Sequence, residues 1–389
     1  MFILNFAVYC VLRKASGIYF VMDPFSGGGP RNVFMLSRLL KNSGTESGVL
    51  SFKSLDLRDR ILRRKPHRTF FGEERLEPGV IFSFVNAMIP GRDNINYSNY
   101  FFFLVQQNLL DPLTLFRYVT PDVYIATNWQ SFRPTKIAAR DRKIPMMYFV
   151  QADETEFSSS TIYKRQAEKT YINEVPKFTQ SRWLVDLLKE KFDAELKYIG
   201  LGIDHRAFYP RSDSFSNTIF TIARTELTKG FPVFVKALNM LWERRKDFNV
   251  VIAGNIIAVN REDIRFPHEF IGWIHDDDTL AKLYSSSIFV NTGLNEALPM
   301  PSLEAMACGG TVVMTNGGGS VEYVNDNKNC FVTKAGDYEE LCRKLDFVLS
   351  SPESRKDMRK EAFLTAGRYN WADVLKRFSA LVEKETGFK

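Results

Sequence analysis

Residues 291–310 read NTGLNEALPMPSLEAMACGG, and the fold of the chain turns on them. The apolar run at 287–291, SIFVN, leads into them as a buried strand of a parallel sheet. Pro299 and Pro301 suit the entry to a helix, where a missing N–H costs nothing. Leu303, Ala305, Met306 and Ala307 continue as helix, and Gly309 with Gly310 supplies the stop. Glu296 therefore falls on a loop at the carboxyl end of a strand, and Glu304 one turn inside the following helix. Asn295, Ala297, Leu298, Pro299 and Met300 line the loop between them, and free amides over 297–303 are expected to form a small electropositive pocket. Two carboxylates flanking an anion site suit a diphosphate with sugar hydroxyls on both sides, as in a nucleotide sugar.

Taken alone, a glutamate in a first helical turn complements the helix dipole and needs no other role. The whole string, E-x7-E with small residues and prolines between, closely resembles the donor-site signature of retaining glycosyltransferases of family 4. That resemblance implies the GT-B fold: two Rossmann-like, doubly wound α/β domains facing a central cleft, with a C-terminal helix crossing back to the first. It also implies that Glu296 faces the donor sugar and Glu304 holds the nucleotide ribose.

Length and composition agree with two domains. The chain has 389 residues, 45% hydrophobic and 25% charged, which is ordinary for a globular protein with a core in each half. A net charge of +7 favours an anionic partner, whether nucleotide diphosphate, lipid phosphate, membrane surface or nucleic acid, without choosing among them. Cys10, Cys308, Cys330 and Cys342 form no C-x-x-C and have no histidines at metal spacing. A reduced cytoplasmic setting is expected, with no metal site. Residues 1–12, MFILNFAVYCVL, are too short to span a bilayer and lack the features of a signal peptide; a first strand or buried helix is expected, with shallow membrane contact as the alternative.

In the first half, a strand at 17–22 runs into the glycine loop 23–32, and Pro30 opens a helix ending at Gly44. Glycines let backbone amides approach a phosphate, but G-x-G-x-x-G fails because Asn32 stands at the third glycine position. A dehydrogenase is disfavoured on that ground. By resemblance, Gly28 and Gly29 face donor phosphate and acceptor. The stretch 55–68 carries Arg58, Arg60, Arg63, Arg64, Lys65 and Arg68 among scattered apolar residues. It reads as a solvated face, with peripheral contact at the inner membrane face as the alternative. No nucleic acid is expected, because aromatics are not interleaved as in an RNA-binding sheet.

Strands are expected at 80–85, 122–127 and 146–151, with a helix at 135–142 between the last two. Asn128 follows the second of these, where many family 4 enzymes carry a histidine near the reacting centre. Residues 148–157, YFVQADETEF, resemble a stretch of bacterial rhamnosyltransferases that build rhamnan and surface-layer glycans, with Ala152 and Thr155 as departures. Asp153 and Glu154 are read as acceptor-hydroxyl ligands, or else as caps of the following helix.

Residues 200–210, GLGIDHRAFYP, resemble the family's interdomain link. A strand at 218–223 then leads to Arg224 and Lys229, in a pattern similar to the family's G-R…K-G with Ala223 replacing the glycine. A guanidinium and an ammonium at the mouth of a strand clamp a diphosphate and neutralise the charge that builds as it leaves. Residues 270–274, FIGWI, resemble the segment whose backbone holds the base, with Trp273 as a wall beside Ile274. Asp276-Asp277-Asp278 contains D-x-D, but its place before a helix points to capping. The glycines at 317–319 resemble a second phosphate turn, and Asp337 with Glu340 reads as a capping box.

The expected division is 1–208 for acceptor, 209–366 for nucleotide sugar and 367–389 as the returning helix. The implied activity is retaining transfer of a sugar from a nucleotide diphosphate to a hydroxyl of a glycan or lipid-linked oligosaccharide, without a cofactor. The sharper expectation is a rhamnosyltransferase using dTDP-rhamnose. A hexosyltransferase using UDP- or GDP-sugar and a non-catalytic nucleotide-sugar-binding subunit are the alternatives.

Overall fold

The computed structural model describes residues 17–22, 30–51, 121–158, 160–211, 216–224, 226–256, 259–274 and 276–389. The apolar opening 1–12, Gly28 and Gly29, the basic stretch 55–68 and the strand expected at 80–85 lie outside these residues. The chain divides into two compact units, one of Met1–Val150, Glu154–Phe178 and Ala380–Lys389, the other of Gln151–Asp153 and Thr179–Ser379. The tail of the last helix thus belongs to the first unit, although the chain reaches it after the whole of the second.

The first six-stranded sheet contains β1 (Ile18–Met22), β2 (Ser47–Ser51), β3 (Val123–Ala126), β4 (Met146–Phe149), β5 (Lys177–Thr179) and β6 (Lys197–Tyr198), in the order β2-β1-β3-β4-β5-β6. The pairings of β1 with β2 and β3, of β3 with β4 and of β4 with β5 are parallel. Its helices include α1 (Pro30–Asn42), α2 (Trp129–Arg142), α3 (Thr161–Tyr171) and α4 (Arg182–Phe192). α2 begins at Trp129, ahead of the expected start at 135, and takes in Pro134. Asn128 and Ser131 form a reciprocal capping box that starts the helix, and the proline is tolerated inside it.

The second sheet contains β7 (Thr218–Ala223), β8 (Asn249–Gly254), β9 (Glu269–Gly272), β10 (Ile288–Asn291), β11 (Thr311–Asn316) and β12 (Phe331–Lys334), all paired in parallel. The helices are α5 (Phe231–Arg244), α6 (Asp277–Ser286), α7 (Met300–Ala307), α8 (Tyr338–Ser350), α9 (Pro352–Ala366) and α10 (Trp371–Thr386). Successive strand residues point to opposite faces. Ile219, Ile288, Val290 and Val313 join one core with Phe234, Leu238 and Leu241 of α5 and Leu345 of α8. Phe220, Phe289, Val312 and Met314 join the other, with Tyr284 of α6, Leu303 and Met306 of α7 and Ala362 of α9. A sheet buried on both faces needs continuous apolar strands, and these strands supply them. On α5, Phe234, Ala237, Leu238 and Leu241 form the buried stripe, and Val233 and Trp242 lie half-buried at its margin.

Polar ends of the helices follow local chemistry. Asp276 Oδ1 accepts the Thr279 N–H at 2.7 Å, and Asp278 pairs with Lys282 and Arg211, so the aspartate triplet is a cap with ion pairs. Asp337 caps α8 through the Glu340 N–H at 2.8 Å. The box is only half made: Glu340 Oε2 accepts from the Lys334 N–H instead, a donor left over at the end of β12. Cys308, Cys330 and Cys342 are free and buried, and burial pushes the Cys330 thiol up to about 12. Among the described residues no helix is long and apolar enough to cross a membrane.

Candidate nucleotide-sugar site

Read from β9, the second sheet has the order β9-β8-β7-β10-β11-β12, so the chain winds one way from β7 and the other way from β10. Helices leave these two neighbours toward opposite faces, and a crevice opens beyond their carboxyl ends. The residue after β7 is Arg224, and the loop after β10 carries Glu296. Both residues singled out in the sequence therefore flank the topological switch point of their own sheet.

The loop after β10 is held in place residue by residue. Leu294 N–H donates to Thr228 C=O at 2.7 Å, tying the loop to the 3-10 turn Leu227–Lys229. Gly230 has φ +69°, and a Cβ there would sit 1.9 Å from the Thr292 carbonyl oxygen; only glycine lets α5 start this close. Lys229 and Glu296 are thereby brought together. The Lys229 ammonium donates to Glu296 Oε1, with the two side chains 36% and 13% exposed. The Asn291 amide donates to Glu296 Oε2 at 3.1 Å and to Ser302 Oγ at 3.1 Å, while its own oxygen accepts the Gly293 N–H at 3.0 Å. Asn291 is thus the residue that aims Glu296, a role the sequence reading missed.

Asn291→Ala removes three hydrogen bonds in a partly buried site and is expected to lower the stability of the second unit by about 2 kcal/mol, read from denaturant midpoints. No change would mean that Glu296 is aimed by other groups.

The second glycine turn packs against the Glu296 loop. Gly319 N–H donates to the Glu296 carbonyl at 2.8 Å. A Cβ on Gly318 would lie 2.1 Å from that carbonyl oxygen, and one on Gly319 would lie 1.8 Å from the carbonyl oxygen of Ala297. These glycines let the 3-10 turn Gly318–Glu322 pack against the Glu296 loop. Tyr323, whose phenol burial keeps well above its ordinary value, donates to the Pro299 carbonyl at 2.9 Å.

The remaining predicted residues fall as follows. Arg224 places its guanidinium 5.2 Å from the centre of the Trp273 ring, a cation–π pair, and Trp273 is 50% exposed. Ile274 packs at the edge of the core. Asn295 is exposed, Leu298 and Met300 are half-buried, and Ala297 and Pro299 are buried. Glu304 is 5% exposed, at the fifth position of α7. The amides expected to be free are partly used: Met300 N–H donates to Leu298 C=O and Ser302 N–H to Pro299 C=O, because the chain tightens through a turn before the helix begins.

In the first unit, Asn128 Oδ1 accepts the Ser131 N–H at 2.8 Å. Glu154 Oε2 accepts the Tyr148 hydroxyl at 2.6 Å and the Trp129 N–H at 2.9 Å. Burial, with the Glu154 charge adding to it, holds the Tyr148 phenol well above its ordinary value, so it donates as the neutral form. In the second unit, Asp153 pairs with Lys191 at 2.8 Å. Neither carboxylate caps α3; the Ser160 hydroxyl stands at that position. Among the described residues no group of three or more His, Cys, Asp or Glu is placed to hold a metal ion.

A family model described as Glycosyl transferases group 1 matches residues 208–365, the stretch that carries β7 through α9 and every residue around the switch point. Residues 208–365 are a group 1 glycosyltransferase domain. A D-inositol 3-phosphate glycosyltransferase of Paenarthrobacter aurescens is 26% identical over 212 residues, covering 48% of this chain and 52% of that protein. A phosphatidyl-myo-inositol mannosyltransferase of Propionibacterium freudenreichii is 30% identical over 188 residues, 45% of this chain and 47% of that one. The chain spans about half the length of the curated relatives it matches. Among solved structures, sucrose-phosphate synthase from Thermosynechococcus elongatus superposes with a TM-score of 0.69 at 14% identity, over 96% of this chain and 99% of that one. Anabaena HepE, solved with UDP and glucose, gives 0.68 at 14% identity over 94% and 99%. At these identities the likeness shows the fold, which is GT-B.

Proposed function

We propose that the protein is a retaining glycosyltransferase that moves a sugar from a nucleotide diphosphate to a hydroxyl of a glycan or lipid-linked oligosaccharide. The observation that carries this reading is the Lys229–Glu296 pair at the β7/β10 switch point, where Arg224 follows the end of β7, within the stretch matched by the group 1 model. Residues 209–366 hold the donor, 1–208 take the acceptor and 367–389 return to the first domain.

In this reading Arg224 and Lys229 bind the diphosphate and stabilise the charge that grows as it departs. A diphosphate competes with Glu296 for the Lys229 ammonium, which turns Glu296 toward the sugar, where its charge supports the anomeric carbon. The leaving diphosphate takes the acceptor proton, so the reaction asks for no strong protein base and for no cofactor. Glu304 holds the ribose, and the Trp273–Ile274 segment lies along the base. Asn128, Asp153 and Glu154 meet the acceptor; their burial suits groups that fix a hydroxyl in position. A lipid-linked acceptor places the protein at the inner membrane face, with the basic stretch 55–68 against lipid phosphates.

Two donor readings differ in their support. Rhamnose from dTDP-rhamnose is carried by the resemblance of residues 148–157. A UDP-sugar is favoured by the GT-B likeness to HepE, solved with UDP and glucose. Thermal stabilisation by UDP, GDP, dTDP, ADP and NAD separates them. A ligand at 100 times its dissociation constant adds about 2.7 kcal/mol, a clear shift. A selective shift with one diphosphate is expected and names the donor class; a shift with NAD alone, or none, overturns the reading.

A further inference from the structure

A cavity of about 240 Å3 lies within the second unit and is lined by none of the residues assigned to the donor. Three arginines line it: Arg182 at the start of α4, Arg368 just beyond α9 and Arg377 on α10. None of the three guanidiniums makes an ion pair or hydrogen bond with a described residue; that of Arg182 lies 4.2 Å from the centre of the Tyr198 ring. The two carboxylates in the lining are engaged by the framework. Glu322 accepts the Arg182 backbone N–H on Oε1 and the Tyr198 hydroxyl on Oε2 at 2.8 Å. Asp373 Oδ2 accepts from the Asn370 amide at 2.8 Å.

The Arg377 guanidinium lies over the bend at Gly200, where φ is +95° and a Cβ would sit 2.4 Å from Nη1. Guanidinium forks match the oxygens of a phosphate, and three of them against two engaged carboxylates leave the cavity cationic. The carboxylates can still accept from hydroxyls through their remaining lone pairs. A phosphate joined to a short polyol answers both features.

We propose that this cavity is a second ligand site that takes a small phosphomonoester, a sugar or polyol phosphate, through Arg182, Arg368 and Arg377. Occupancy reaches the Glu296 loop by a short route. Glu322 ends the 3-10 turn Gly318–Glu322, and Gly319 in that turn donates to the Glu296 carbonyl. The ligand therefore changes nucleotide affinity, and the nucleotide changes the ligand's affinity by the same factor. This coupling rests on the donor reading; the binding itself does not.

Calorimetric titration of the full chain with a hexose 6-phosphate, glycerol 3-phosphate, inorganic phosphate and the unphosphorylated hexose tests the site. Saturable binding of the phosphomonoesters is expected, with none of the hexose. It is expected to persist in Lys229→Ala and to weaken at least about tenfold in Arg368→Gln/Arg377→Gln. Binding that the double variant retains, binding lost in Lys229→Ala, or no binding at all overturns the site. Inorganic phosphate binding as tightly as the hexose phosphate overturns the sugar or polyol part. If the double variant melts early, each single variant makes the same comparison. UDP affinity is expected to change about fivefold or more with the phosphomonoester present, in the parent protein only. An unchanged affinity overturns the coupling and leaves the site standing.

Discussion

Replacing Glu296 by Gln is expected to leave nucleoside diphosphate affinity within about threefold while lowering turnover by about 10²–10³-fold. The amide has the shape of the carboxylate, and its one oxygen can accept from either the Asn291 amide or the Lys229 ammonium, not both. The loop stays anchored by its backbone bonds to Thr228 and Gly319, so the diphosphate still meets Arg224 and Lys229. What is lost is the negative charge facing the anomeric carbon as the bond to the diphosphate breaks. Calorimetric affinity for the nucleotide that stabilises the protein, set beside kcat with its sugar donors, checks the split. Lys229→Met makes the contrast, because it removes a diphosphate contact and is expected to lower affinity and turnover together. Equal losses of affinity and turnover in Glu296→Gln would make Glu296 a general scaffold of the loop.

The strand, loop and helix around Glu296 were legible because each is set by neighbours in sequence: an apolar run, two prolines, a pair of glycines. The same holds for Asp276 as a cap, whose partner lies three residues on. Contacts that bridge distant segments were not legible. Glu154 finds its partners at Trp129, Tyr148 and Tyr171, so the local alternative, capping α3, loses to a buried network. Glu340 reaches back to Lys334 because the strand end offers an unpaired donor that the cap position does not. Asn291 gave no local sign of its role, since Glu296 and Ser302 come within its reach only after the loop folds over the strand end. The glycines at 317–319 were legible as a turn, but what they approach depends on which segment packs there, and that segment is the Glu296 loop.

Gly319→Ala is expected to destabilise the second unit by about 3 kcal/mol and to weaken nucleotide binding with it. The cost is steric, since the added Cβ meets the Ala297 carbonyl oxygen at 1.8 Å and the Ser181 hydroxyl at 3.0 Å. Neither neighbour yields freely: the carbonyl belongs to the Glu296 loop, and Ser181 caps α4. Gly336→Ala is the matched control. It has φ +82° with nothing within 4 Å of an added Cβ, so it pays only for the left-handed backbone, about 1 kcal/mol. Denaturant midpoints of the transition that unfolds the second unit separate the two, and nucleotide affinity is expected to fall in Gly319→Ala alone. If Gly319→Ala costs no more than Gly336→Ala and binds nucleotide normally, the Glu296 loop is not held by this turn. A large loss confined to nucleotide affinity, with stability intact, would return the glycines to the phosphate-facing role that their pattern first suggests.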